Sequence, residues 1–368
     1  MALQRLTFHI TDRCQLNCDH CLRDPGAKPQ DLDVALITSV LDQARALFGA
    51  RHVGLTGGEP ALHPEFYAIV DAIADRGYTW HVVSNGERFE QMLQRLDERP
   101  LRLQTMSLLN FSLDGATAET HDSIREVGSF RTVMQAVSLC RARSIPFLLQ
   151  ITLNARNVDQ IEAMALLASQ LGADKLAYNF TQPTGTFLDR SLHLPASEWK
   201  RAIDRVNRVR AAFKIAVIHS ELAPHEEPFH MCEMWKQEHL HVDPFGQLNL
   251  CCQHAGVPGD GPLSDIAGDL HVMTLAEAHM RFTAIVNRTI EARLQALADK
   301  DLSEWDRNFS CNWCLKRFGK PHWTEEGVDG PAAARQRWRG VWEPGYKDSH
   351  ARAGLVRLPI LPRSNCAE

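Results

Sequence analysis

At 368 residues, with 44% hydrophobic and 23% charged residues and a formal net charge of −5, the chain has an ordinary globular composition and length enough for one large domain or two. The weak negative balance gives no global attraction to nucleic acid or to anionic membranes. The opening MALQRLTFHITDRC lacks the apolar stretch of a secretory signal, and no apolar run approaches the roughly 20 residues that span a bilayer, so a cytoplasmic protein without membrane or nucleic-acid partners is expected.

Short β-branched or aromatic runs alternate with amphipathic stretches through the first 220 residues. Strands are expected at 6–10 (LTFHI), 52–56 (HVGLT), 79–84 (TWHVVS), 108–113 (LLNFSL), 147–153 (FLLQITL) and 175–180 (KLAYNF). Helical periodicity falls at about 33–48, 65–76, 87–97, 130–143, 158–171 and 196–213. Six strand–helix repeats imply right-handed crossovers and a parallel sheet, with ligands at the carboxyl ends of the strands. The repetition lapses after about residue 220, where LHVDPFGQLNLCC (240–252) reads as a hairpin turning at Asp243-Pro244-Phe245-Gly246. A long helix is expected at about 274–299, then Cys311-Asn312-Trp313-Cys314, and from about 324 a tail rich in Arg, Gly and Pro. The domain boundaries that follow are 1–220, 221–323 and 324–368.

Ten cysteines need a cause, and a reducing cytosol disfavours disulfides. They cluster at 14, 18 and 21 and again at 232, 251, 252, 311 and 314, as two metal centres would require. Cys140 lies in a helical pattern and reads as core; Cys366 stands apart. Cys14-x3-Cys18-x2-Cys21 follows the first strand. Three thiolates so spaced can wrap one face of an iron–sulfur cube and leave one iron for a small chelating molecule, unlike the four thiolates usual in electron-transfer clusters. A zinc site with His20 as fourth ligand fits the same spacing.

Three further motifs stand in order behind this loop. Gly57-Gly58-Glu59-Pro60 follows the second strand and Ser84-Asn85-Gly86 the third. Ser112-Leu113-Asp114-Gly115 follows on the fourth, trailed by His121-Asp122, Arg125 and Gly128-Ser129-Phe130. The set resembles the radical S-adenosylmethionine (SAM) superfamily over about residues 5–185, and the last string resembles members that carry SPASM or twitch extensions. The resemblance implies an α/β fold, a partial (β/α)6 parallel barrel with a C-terminal twitch/SPASM-like hairpin and helix. It implies that Cys14, Cys18 and Cys21 hold a [4Fe–4S] cluster chelated by SAM. Gly57, Gly58 and Glu59 would receive the SAM amino group, Ser84 and Asn85 would form a polar turn beside it, Ser112 would meet the ribose and Arg125 the carboxylate. Thr152 and Asn154 fall nearby. The implied reaction is reductive cleavage of SAM to a 5′-deoxyadenosyl radical that abstracts hydrogen from a substrate carbon, with flavodoxin or ferredoxin as reductant. His20 departs from the aromatic residue common before the third cysteine and is expected to pack beside the cluster.

Cys232, Cys251, Cys311 and Cys314 supply four thiolates that suit either zinc or a closed cluster. Behind a radical SAM core they resemble a twitch domain with one auxiliary [4Fe–4S] cluster, which gives two clusters in all. Cys252 is left over, as a buried apolar residue or as a hydrogen-atom donor of the kind some radical SAM epimerases use. The implied substrate is a ribosomally made peptide, cross-linked, epimerised or excised. The chain starts at its first core strand without a leader-recognition domain ahead of it, which counts against that reading unless a separate leader-peptide-binding protein is the partner. The alternative is dehydrogenation or epimerisation of a small polar molecule such as an aminocyclitol in antibiotic biosynthesis; a non-catalytic zinc protein is the alternative of another class. Asp114, Asn179, Gln182 and His241 read as polar residues near strand ends, with no role assigned.

Overall fold

Alternating burial along β1 (Arg5–Thr11) sends Leu6, Phe8 and Ile10 into a core with no exposure, while Arg5, Thr7 and His9 take the opposite face. The structure is a computed structural model that describes residues 3–22, 28–180, 192, 194, 196–219, 229–252, 255 and 263–320. The tail expected from about 324, with Cys366, and Gln182 lie outside the described residues.

After β1 come α1 (Val34–Phe48), β2 (His52–Gly57), α2 (Phe66–Asp75), β3 (Thr79–Ser84), α3 (Phe89–Asp97) and α4 (Pro100–Gln104). β4 (Met106–Ser112), α5 (Ala118–Ile124), α6 (Ser129–Ala142), β5 (Phe147–Leu153), α7 (Ile161–Leu171) and β6 (Lys175–Phe180) continue the alternation. All six strands expected from the sequence are present. Two helices, α4 and α5, are only 5 and 7 residues long, too short for a hydrophobic period to announce them. α8 (Ala196–Ala212) leads to β7 (Ala216–His219), a seventh parallel strand that the sequence reading did not include.

The hairpin is made by β8 (His239–Val242) and β9 (Gln247–Asn249). Asp243 folds its turn: one carboxylate oxygen accepts from the N–H groups of Phe245 and Gln247, both at 2.9 Å, and the other from Asn249 Nδ2 at 2.9 Å. β10 (Ile266–Asp269) adds one more antiparallel strand, followed by α9 (Leu275–Ala298), α10 (Glu304–Asn308) and α11 (Ser310–Arg317). α9 starts at a reciprocal cap in which Thr274 and Glu277 each satisfy the other's backbone N–H.

One sheet carries all ten strands in the order β10-β9-β8-β1-β2-β3-β4-β5-β6-β7. β1 to β7 run parallel, the layout of a partial (β/α) barrel. The C-terminal extension joins the same sheet, since β8 pairs parallel with β1 from Arg5↔His239 to Phe8↔Val242. The chain therefore returns to the strand that precedes the first cysteine loop. Among the described residues no helix is long and apolar enough to cross a membrane.

Candidate active site

The motif residues gather at the carboxyl ends of β1 to β5. The loop after β1 is pressed onto the end of β2. Gly58 N–H donates to Thr11 O and Glu59 N–H to Arg13 O, both at 2.7 Å. A Cβ on Gly57 would stand 2.3 Å from Thr11 O, and one on Gly58 2.3 Å from Arg13 O. These glycines let the cysteine loop lie against the second strand's end, backbone to backbone. On the other side Asp19 N–H donates to Ile124 O (2.9 Å) and Asn17 N–H to the Glu126 carboxylate (2.8 Å). Arg156 pairs with Asp19 at 2.6 Å. The loop is thus tied to β2, to the end of α5 and to the turn after β5.

Asp114, to which the sequence reading gave no role, is the hub of the site. Fully buried, it accepts at one oxygen from Arg125 Nε (2.6 Å) and lies 2.7 Å from His20 Nε2. Its other oxygen accepts from Thr152 N–H at 2.7 Å, and Asp114 N–H donates to His121 Nδ1 at 3.0 Å. Burial alone would raise its pKa; Arg125 and His20 overcome that and hold the carboxyl well below the usual range. Arg125, its side chain 9% exposed, reaches on with Nη1 3.9 Å from Cys18 Sγ. Burial pushes the Cys18 thiol up to about 12, opposed by Arg125 and reinforced by Cys21, Asp114 and Cys14. Cys18 therefore lies within electrostatic reach of both other thiols of the loop. Asp122 of the HD pair accepts from Gly128 N–H (2.7 Å) and Phe130 N–H (2.8 Å), so the GSF segment starts α6 on a carboxylate.

Glu59 faces inward. Its carboxylate is 1% exposed and accepts from Ser84 Oγ (3.1 and 3.2 Å) and Asn85 N–H (2.8 Å). Burial lifts its pKa to about 7 against these bonds. It fixes the turn after β3, and through that turn Asn85 Nδ2 is set 3.7 Å from Cys14 Sγ. Gln15 donates to Asn85 Oδ1 at 3.0 Å. Ser112 is buried at the end of β4. Thr152 enters the site through its backbone, and Asn154 is a turn-former: it accepts from Arg156 N–H (2.9 Å) and donates to Thr152 O (3.0 Å). The signal for Asp114 was present in SLDG, but nothing local in the sequence says which polar residue of that string turns inward.

In the second group Cys311 and Cys314 sit one turn apart on α11, and Cys314 feels the charge of Cys232. Cys251 lies past β9 and Cys252 in the turn after it, both half-buried. Cys140 is fully buried, as expected.

Among the described residues no group of three or more His, Cys, Asp or Glu side chains stands in a metal-holding arrangement. The donor chemistry of the first loop nevertheless fits an iron–sulfur cluster. Cys18 interacts electrostatically with Cys14 and Cys21, the Arg125 guanidinium lies 3.9 Å from its sulfur, and the His20 nitrogen Nε2 is taken by Asp114. Residues 8–168 match the sequence profile of the Radical SAM superfamily. This segment is a radical SAM domain.

Such a domain takes SAM and a [4Fe–4S] cluster. The chain is similar to the AdoMet-dependent heme synthase of Methanosarcina barkeri, 29% identical over 231 residues, 61% of this chain and 63% of the relative. It is also similar to mycofactocin maturase MftC of Mycobacterium tuberculosis, 31% identical over 205 residues, 54% of this chain and 50% of the relative. The chain thus spans about half to under two thirds of these relatives' length. In fold it is similar to Streptococcus suis SuiB bound to precursor peptide SuiA, with a TM-score of 0.57 at 12% identity, covering 76% of this chain and 67% of that one.

Proposed function

We propose that the chain is a radical SAM enzyme that modifies a ribosomally made peptide. In this reading Cys14, Cys18 and Cys21 hold the SAM-binding cluster, and Cys232, Cys251, Cys311 and Cys314 hold an auxiliary [4Fe–4S] cluster. Residues 1–220 act as core, 221–323 as auxiliary domain and 324–368 as tail. The observation that carries the reading is the Asp114–Arg125–Cys18 chain, a buried cation aimed at a thiol that must become thiolate. Bound there, the cluster and SAM supply one-electron reductive cleavage and hence a radical able to take hydrogen from an unactivated carbon.

The protein's own part is placement. Arg125, held by Asp114, would offset the thiolates and receive the SAM carboxylate. Gly57 and Gly58 keep the cysteine loop against β2 and offer backbone acceptors to the SAM amine. Glu59 holds Ser84 and Asn85 in place, where they would line the methionine side of SAM, and Ser112 would meet the ribose. Thr152 fixes Asp114, and Asn154 shapes the turn beside it. Cys252 is kept as the candidate hydrogen donor if the product is an epimer. Electrons would come from a cytoplasmic flavodoxin or ferredoxin.

The maturase relative and the peptide-bound SuiB fold support a peptide. The heme synthase relative favours a second reading, a non-peptide substrate; an aminocyclitol is the small polar candidate to test beside the peptide. Anaerobically reconstituted protein, reduced with dithionite, should form 5′-deoxyadenosine, and more of it with precursor peptide than with small polar candidates. Zinc without iron or sulfide after anaerobic purification sinks the enzyme reading. Stimulation by a small molecule alone replaces the peptide.

A further inference from the structure

β4 and β5 carry two carboxamides on the face turned away from the helices. Leu109 and Phe111 of β4 and Leu149 and Ile151 of β5 lie in the helix-covered core, where Phe111 meets Phe89 of α3 edge-on at 5.1 Å. Asn110 and Gln150 alternate with them, and so share the inner face with Ser112 and Thr152. Asn110 Nδ2 donates to Gln150 Oε1 at 2.6 Å. Asn110 is 8% exposed, yet its Oδ1 is buried without a hydrogen bond among the described residues. Its register partners, Val83 on β3 and Leu148 on β5, are hydrocarbon and cannot supply one. Gln150 is half-buried, so the pair reaches the surface of that face.

A buried carbonyl left unmet is costly, and native structures satisfy nearly all of them. Each carboxamide has one carbonyl and one amino end. A single bond between two carboxamides uses one of each. Whichever way round they pair, one carbonyl and one amino group remain. An extended peptide residue is the complement, because its N–H and C=O point to the same edge of the chain. The pair sits two positions before Ser112 and Thr152, about 7 Å deeper along the strands. A few polar groups converging in an apolar wall are what fixes a ligand's orientation.

We propose that Asn110 and Gln150 form a clamp for one main-chain residue of the substrate, Asn110 Oδ1 accepting its N–H and Gln150 Nε2 donating to its C=O. The clamp rests on the reading of the substrate as a peptide, and it makes recognition depend on the backbone amide. Holoenzyme with SAM and no reductant is titrated by ligand-observed NMR with two probes. One is N-acetyl-L-alanine N′-methylamide; in the other, O-acetyl-L-lactic acid N′-methylamide, an ester oxygen replaces the alanine N–H. The amide should bind about tenfold more tightly or better, since the ester leaves Oδ1 unmet. Asn110→Leu should bring the two affinities together. Equal affinities in wild type, or a preference that survives in Asn110→Leu, overturn the clamp. If Asn110→Leu does not fold, Gln150→Leu decides: both probes should bind several-fold more weakly, and unchanged affinity overturns the clamp. Absence of amide binding while precursor peptide still raises 5′-deoxyadenosine formation overturns the clamp and leaves the peptide reading. Binding of the aminocyclitol 2-deoxystreptamine in place of the amide, lost in Asn110→Leu, overturns both.

Discussion

Around Cys14, Cys18 and Cys21 the neighbours are hydrogen-bonding groups set at the ends of parallel strands, with Asp114 joining four of them. Around Cys314 the neighbours are a tryptophan and two arginines carried on helices. The first arrangement fixes direction, because each polar partner is held by a bond of defined geometry. The second fixes mainly charge, because cations stacked on a ring act through the field they create. A site that must orient a chelated molecule needs the former.

Breaking the cysteines should separate the two regions most clearly. Cys14→Ala should abolish 5′-deoxyadenosine formation. Cys311→Ala should remove about half the iron, counted on the [4Fe–4S] pair proposed, and leave some SAM cleavage uncoupled from product. Full iron in the second variant would refute the auxiliary site.

Next in size is the hub. Asp114→Ala leaves Arg125 buried without its carboxylate, and the loss of one partner of a buried pair costs about 3–5 kcal/mol. Denaturant unfolding of the metal-free chain measures it. A cost under about 1 kcal/mol would mean that the pair behaves like a surface ion pair and that Asp114 is no hub.

Glu59 gives a pH signature of known sign. Its folded-state pKa is raised to about 7, so its stabilising part is whole below the ordinary carboxylate range and is lost as pH climbs through 7. His81 and His121, which burial pulls down to about 3 and about 4, act in the opposite sense, but equally in wild type and in Glu59→Gln. The stability difference between these two metal-free proteins should therefore shift against wild type by up to about 3 kcal/mol from pH 5 to pH 8. A flat difference would show Glu59 ionised throughout. The smallest effect belongs to the helix that carries Arg293: Thr274→Ala removes a cap and should cost about 1 kcal/mol while iron content stays the same.

Much of this was legible from residue order. LTFHI and its five successors declare strands because alternation is a property of consecutive side chains, and the cysteine, GGEP and SLDG strings fall at those strands' ends for the same reason. β7 was not legible: AVIH is four residues long, and only β6 beside it makes it a strand. Nor was the attachment of β8 to β1, since pairing partners are chosen in space. At the site, the glycines read as room for a ligand, and in the fold they also make room for the cysteine loop. Glu59 read as an acceptor for an ammonium, and in the fold its carboxylate accepts from Ser84 and Asn85.

Sequence alone determined the first six strands and the longer helices between them, the position of the cysteine loop and the two-group layout of the thiols, all of which are encoded in local spacing. Tertiary structure decided that Asp114 joins His20, Arg125 and Thr152, and that Arg293 reaches Trp313 from another helix. The reason is physical: a buried charge takes whichever partner the packing of distant segments brings within about 3 Å, and no local pattern records that meeting.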